Sequence, residues 1–367
     1  MNDTTEPTSS NSFALSGRQW AGLAFFTVAV YLLAPLAWRR AEKLEAGPDY
    51  RIPYELSSDY WLWSRMATQA AATHDTILVG DSVVWGQYVR PGETLSHYLN
   101  ALEGRDRYAN LGLNGSYPAA LAGLVEHYGG AIRGKRVILH CNPLWLSSPK
   151  VDLREDEELH FNHLGLIPQF SSRIPGYKEE VSRRIGKVVD RNVPFNGWTN
   201  HLQIAYFGGA SIPGWTLDHP YESPFKPLSA GLPSPADKAE SNPVPWTQTD
   251  IPKRNDMAWV DLAGSIQWAS FQRVVDLLQQ RGNTVLVVIG PYNEHLLKES
   301  SRVKYQELQR GIEDWLKERK VAYVAPAPLP SDQYGDASHP LSAGYALLAK
   351  ELVTGGFLAA AESKPER

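Results

Sequence analysis

Residues 20–38, WAGLAFFTVAVYLLAPLAW, form a run of nineteen residues without a formal charge. In lipid such a segment must satisfy every backbone N–H and C=O within itself, which makes it an α-helix. At about 1.5 Å per residue the helix spans roughly 30 Å, one hydrocarbon core. Trp20, Tyr31 and Trp38 stand near its ends or in its outer half, where amphipathic rings favour the interface, and Pro35 falls in its last turns. The competing reading is a cleaved signal peptide, but the run is long for one and no small-x-small site follows it. The expectation is an uncleaved anchor at 20–38, with a disordered polar segment at 1–19 before it and a helical juxtamembrane neck at 39–75 after it. The flanking charges oppose an external catalytic domain. Arg18 alone precedes the run and Arg39, Arg40 and Lys43 follow it, so the positive-inside rule taken literally leaves the bulk of the chain in the cytoplasm.

The remaining length is ample for a buried core, and 36 Lys+Arg against 40 Asp+Glu give a net charge of -4. No basic footprint of a nucleic-acid binder is present. The single cysteine, Cys141, excludes an intrachain disulfide framework, and it ends an apolar strand as a core thiol would. From residue 76 onward, short β-branched runs alternate with amphipathic stretches. Strands are predicted at Thr76–Gly80, 108–113, Arg136–Cys141, 284–290 and 321–325, and helices at 93–102, 118–132, 260–280, 300–320 and 341–352. This alternation predicts an α/β fold with a mostly parallel five-stranded sheet and helices on both faces. The rhythm fails between about 150 and 255. A helix is predicted at 177–191, and 212–252 carries nine prolines with Trp215, Tyr221, Phe225 and Trp246. Such a stretch reads as a cap inserted into the domain at 76–367.

Gly80-Asp81-Ser82 follows the first strand directly, at the strand end where parallel sheets bind ligands. Ser82 there can expose its hydroxyl, although a Gly-Asp-Ser turn that caps a helix has the same sequence. Asp336 lies three residues before His339, close enough to hold Nδ1 and leave Nε2 free to accept a proton, which a serine nucleophile requires. A helix-capping turn with a surface histidine remains the alternative. Asn110-Leu-Gly112-Leu-Asn-Gly115 ends the second strand. The Gly115 N–H can approach an oxyanion, or the glycine can simply make the turn. Asn142, after the third strand, can donate its amide to the same oxygen or form an Asx-turn before Pro143.

Together, GDS at 80–82, N-x-G-x-x-G at 110–115, Asn142 and D-x-x-H-P at 336–340 resemble the block pattern of the SGNH/GDSL hydrolase superfamily. The resemblance implies Ser82 as nucleophile, His339 as general base and Asp336 as its orienting carboxylate. It implies an oxyanion hole of the Ser82 N–H, the Gly115 N–H and the Asn142 side chain. It also implies a three-layer, flavodoxin-like sandwich and no cofactor. The third block departs from the free esterases of the family. His140-Cys-Asn142-Pro-Leu-Trp145 keeps the asparagine but loses the glycine and the aspartate, and is loosely similar to the membrane-anchored members that acylate cell envelopes.

The function expected is a serine acyl-ester hydrolase or O-acyltransferase acting on an acylated carbohydrate or other ester, with an envelope polysaccharide favoured. The resemblance places the catalytic domain outside a single-pass anchor, periplasmic or extracellular, against the local charge signal. A multipass membrane O-acyltransferase is the implied partner. A catalytically silent scaffold or glycan-binding component is the competing class, although it has no chemical need for Ser82, Asp336 and His339 together. Tyr292 and Asn293 end a strand on the same sheet face, where a substrate-lining role and a plain turn are both open. His160 and His163 have ligand-like spacing but no third ligand, so no metal is expected.

Overall fold

The computed structural model describes residues 15–158, 160–171, 173–233, 243–251 and 254–356. Most of the polar N-terminus expected to be disordered, residues 1–14, lies outside them. Helix α1, Gly17–Ala41, extends the predicted anchor at both ends. Its start is set by a reciprocal cap in which the Ser16 side chain accepts from the Gln19 N–H and the Gln19 side chain accepts from the Ser16 N–H. The helix is long and apolar enough to cross a membrane, with mean hydropathy 1.8.

Five strands, β1 (Thr76–Gly80), β2 (Tyr108–Gly112), β3 (Arg136–Cys141), β4 (Thr284–Ile289) and β5 (Ala322–Val324), form one parallel sheet in the order β2-β1-β3-β4-β5. The strands read as near-continuous apolar runs because both faces are buried. Ile77 and Val79 of β1 join one core cluster with α2 (Tyr60–Thr73), α5 (Pro118–Tyr128), α9 (Ile266–Gln280) and α10 (Glu299–Glu318). Leu78, between them, joins a second cluster with α3 (Ser82–Trp85), α4 (Leu95–Glu103) and α11 (Ser342–Thr354). The strand order reverses between β1 and β3, and that switch opens the crevice beyond their C-terminal ends.

Residues 39–75, expected as a neck, are built into the body. Ile52, Leu62, Trp63 and Met66 are core residues of the first cluster. The irregular stretch at 150–255 contains more helix than expected: α6 (Val181–Asn192), α7 (Pro194–Tyr206) and α8 (Ile212–Asp218). Helix α7 packs against α1 and α2. Trp246, in the stretch read as a cap, is buried against Leu296, Leu329 and Tyr334.

An ion cluster ties α1, α2 and α7 together where α1 ends. Glu42, the residue after α1, pairs with Arg65 of α2 and with Nε2 of His201 on α7 at 2.8 Å. Nδ1 of His201 meets Asp59, the α2 cap, at 2.6 Å. With both ring nitrogens facing carboxylates, the imidazolium is the form that fits. Burial alone would lower the His201 pKa, but the hydrogen bonds and charges of Asp59 and Glu42 raise it to about 9. Because the folded value exceeds the unfolded one, the stabilisation is complete below the ordinary histidine pKa and vanishes as pH rises through about 9. Its full size is about 3 kcal/mol. The melting temperature of the full chain in detergent is expected to fall between pH 6.5 and pH 9, about the ordinary and shifted histidine values. His201→Asn should melt lower at neutral pH and lack that slope. A parallel pH profile in the variant would show that the cluster is not held by charge.

Candidate active site

Ser82 is the first residue of α3, immediately beyond β1. Two features of β2 let so short a helix sit there. Gly112 faces α3 so closely that a Cβ would lie 2.3 Å from the Trp85 backbone nitrogen. Asn110 clips the two elements together: its Nδ2 donates to the Val84 carbonyl at 2.8 Å while its Oδ1 accepts from the Gly112 N–H. These two positions of the N-x-G-x-x-G block therefore seat the serine.

The Ser82 hydroxyl lies 2.8 Å from Nε2 of His339. Nδ1 of the same ring lies 2.7 and 2.8 Å from the two oxygens of Asp336. Asp336 also accepts the Ser338 and His339 N–H groups, each at 2.9 Å, and the Tyr88 hydroxyl at 3.1 Å. Burial alone would raise the Asp336 pKa, but the His339 ring and the two amides bring it down to about 2. The same pair acts on the histidine. Burial disfavours its charged form, yet the Asp336 carboxylate outweighs burial and leaves the His339 pKa raised. An ionised Asp336 holds the proton on Nδ1 and leaves Nε2 as the acceptor of the serine proton. The edge of the Tyr88 ring packs against His339, with centroids 5.6 Å apart.

Tyr292 and Asn293 do not line an open pocket. Asn293 is fully buried, its Nδ2 donates to the Asp336 carbonyl at 3.0 Å, and its N–H donates to the Ala337 carbonyl. Tyr292 is packed against Trp259 and Tyr305. Both shape the loop that carries Asp336 and His339, a role that a strand-end position cannot reveal because the loop is some forty residues further along.

Asp81 is the residue whose importance the sequence did not disclose. Its Oδ1 accepts from Val83 N and faces His140 Nδ1 at 3.1 Å; its Oδ2 accepts from Asn142 Nδ2 at 2.7 Å and from Trp145 Nε1 at 2.9 Å. The other His140 nitrogen faces the Gly290 carbonyl at 3.0 Å. Burial alone would raise the Asp81 pKa; the His140 ring, then the Asn142 and Trp145 donors, hold it well below the usual carboxylate range. His140 and Trp145 belong to the block that departs from the family pattern, and here they serve Asp81.

Asn142 is tied to Asp81 through one amide hydrogen. Its Oδ1 accepts from the Leu144 N–H at 3.0 Å in an Asx-turn, and Nδ2 makes a long contact of 3.4 Å to Ser338 Oγ. The two backbone candidates differ. Among the described residues, neither the Ser82 N–H nor the Gly115 N–H is given to a protein acceptor. Gly115 has φ +72°, and a Cβ there would meet Asn162 Nδ2 at 2.5 Å. Gly115→Ala should therefore displace the turn and lower kcat by up to about 100-fold, the scale of one oxyanion donor. Adding Asn162→Ala should recover part of the loss by removing the clash. Full activity in Gly115→Ala would exclude that N–H from the site.

Phe161, Asn162 and His163 are where the insertion reaches the site. Phe161 packs on Tyr117 and Trp145, and His163 Nε2 lies 2.7 Å from the Asn114 carbonyl in the Gly115 turn. His163 is thus a buried structural residue, with Nδ1 against the Tyr60 hydroxyl, whereas His160 is exposed. Among the described residues no group of three metal-ligating side chains occurs. A cavity of about 680 Å³ beside α5 and α9 is lined by none of Ser82, Asp336 or His339. No family model matches the chain, and no curated protein matches it.

Proposed function

We propose that the chain is a membrane-anchored serine acyl-ester hydrolase or O-acyltransferase of the SGNH/GDSL type. The observation that carries the reading is the continuous relay from Ser82 Oγ through His339 to Asp336, at 2.8 and 2.7 Å. Ser82 attacks the acyl carbonyl as its proton passes to His339 Nε2. The oxyanion so formed is met by the Ser82 and Gly115 N–H groups. Collapse expels the alcohol, which takes the proton from Nε2, and leaves an ester on Ser82. Water then attacks that ester with His339 again as base, completing hydrolysis; a sugar hydroxyl in its place completes transfer.

The sheet with helices from both core clusters is read as the three-layer, flavodoxin-like sandwich of that superfamily, and residues 161–163 as the part of the insertion that caps the site. Retention of α1 is supported by the Glu42 cluster, which fastens the end of the helix to α2 and α7. The substrate class is an O-acylated envelope polysaccharide, handled outside the membrane beside a multipass O-acyltransferase. The departure of the third block towards Pro143-Leu-Trp145 and the anchor support that choice. A silent scaffold needs no Ser–His contact, and the 2.8 Å distance favours chemistry. The test is hydrolysis of a short-chain aryl ester by the full chain in detergent, together with labelling by a serine-reactive phosphonate. Label on Ser82 that disappears in Ser82→Ala is the expected result. Absence of both label and turnover would turn the assignment to the scaffold.

A further inference from the structure

Helix α6 is amphipathic in an inverted sense. Val181, Ile185 and Val189, spaced by four, form one stripe, and all three are exposed; Ile185 is 52% accessible. Two of its charged side chains, Arg184 and Lys187, turn into the protein, while Arg183 stays exposed. Arg184 donates to the Gln169 and Tyr177 carbonyls and lies over the Tyr177 ring, and Lys187 reaches the Tyr177 hydroxyl and Glu179. A helix facing water would present these groups in the opposite order.

Its place relative to α1 identifies what covers the stripe. Helix α6 runs through Val193 directly into α7, whose first turn lies on α1. The Phe195 ring stacks on Tyr31 at 4.5 Å, and the Tyr31 hydroxyl donates to Asn196 at 3.3 Å. One turn further on, Trp198 lies 6.3 Å from Trp38. Tyr31 is seven residues inside the apolar run from Trp38, about 10 Å along the helix axis. The α6–α7 junction is therefore level with the apolar part of α1, at the depth where an interfacial helix seats its apolar face, about 5–10 Å into the headgroup and acyl boundary.

We infer that α6 lies on the same bilayer that α1 crosses, with Val181, Ile185 and Val189 in the lipid interface, so that the domain is held to the membrane at two points and cannot swing freely about its anchor. The inference rests on reading α1 as a retained membrane helix. It predicts a fixed orientation of the domain over the lipid surface, which suits a substrate delivered at that surface.

The test uses the full chain reconstituted into vesicles of phosphatidylethanolamine and phosphatidylglycerol. The native Cys141 is buried and its thiol pKa is pushed up by burial, so single introduced cysteines label selectively. An environment-sensitive fluorophore is placed through Ile185→Cys, through Arg183→Cys on another side of α6, and through Val28→Cys in α1. The label at 185 should be quenched by nitroxide lipid about twofold or more relative to that at 183, and shielded from aqueous iodide. A label at 28 in lipid with one at 185 open to iodide would overturn the second contact while leaving the anchor intact. A label at 185 shielded from both quenchers would mean that protein covers the stripe, which also overturns it. A label at 28 open to iodide would remove the anchor reading itself and the inference with it.

Discussion

Ser82→Ala in the full chain should reduce aryl-ester turnover by about a thousandfold or more while leaving the melting temperature within a degree or two. The size follows from what the hydroxyl does. No other described side chain sits against His339 Nε2 in its place, so the variant loses the covalent route rather than an increment of rate. His339→Gln should lose nearly as much as Ser82→Ala, and the double variant hardly more, because a nucleophile without its base and a base without its nucleophile are equally idle. Stability should barely move, since the Ser82 hydroxyl bonds to His339 and fills little volume. A Ser82→Ala protein with residual turnover near that of the native chain would mean that the measured esterase activity arises elsewhere, and the relay would then need another explanation.

The grouping of Ser82, Asp336 and His339 was legible through the resemblance of the sequence blocks at 80–82 and 336–340, not from either turn alone. The strands were legible for a different reason. Buried on both faces, Ile77 to Val79 and Val285 to Ile289 have no polar alternation to blur them, and the observed ends differ from the expected ones by a residue or so. Helix α7 was missed because Pro194 and Gly197 look like breakers, although a proline in the first turn of a helix costs nothing there. The helix Tyr60–Thr73 reads as a neck because its buried face is matched by α5 and α7, elements far along the chain that the segment itself does not announce. The site's supporting contacts were illegible on the same ground. Asp81, His140, Asn142 and Trp145 meet only once β1 and β3 are neighbours, and Asn293 reaches the histidine loop only in three dimensions. Local pattern identifies groups that act at turns; the donors that hold them are a property of the assembled sheet.

That distinction makes Asp81→Asn the more informative substitution of the two. Each carboxylate oxygen faces two donors, Val83 N and His140 on one side, Asn142 and Trp145 on the other. An amide of the same shape must turn its NH2 towards one of those pairs, leaving buried donors opposed. Leaving buried donors of this kind unpaired costs about 1–3 kcal/mol each, more where one faces a charge. That is a large share of the stability of an ordinary domain, about 5–15 kcal/mol. Asp81→Asn should therefore melt well below the native chain and lose activity as well, since Asp81 is the cap of the helix that begins with Ser82. Pairing it with His140→Gln separates the causes. If the Asp81–His140 contact dominates, the double variant should be destabilised by clearly less than the sum of the singles, because the two residues share that one buried contact. Additive losses would instead assign the cost to the α3 cap and the Trp145 bond. Asp81→Asn with native melting behaviour and no turnover would move Asp81 out of the framework and into the chemistry, where its charge acts on His339 directly.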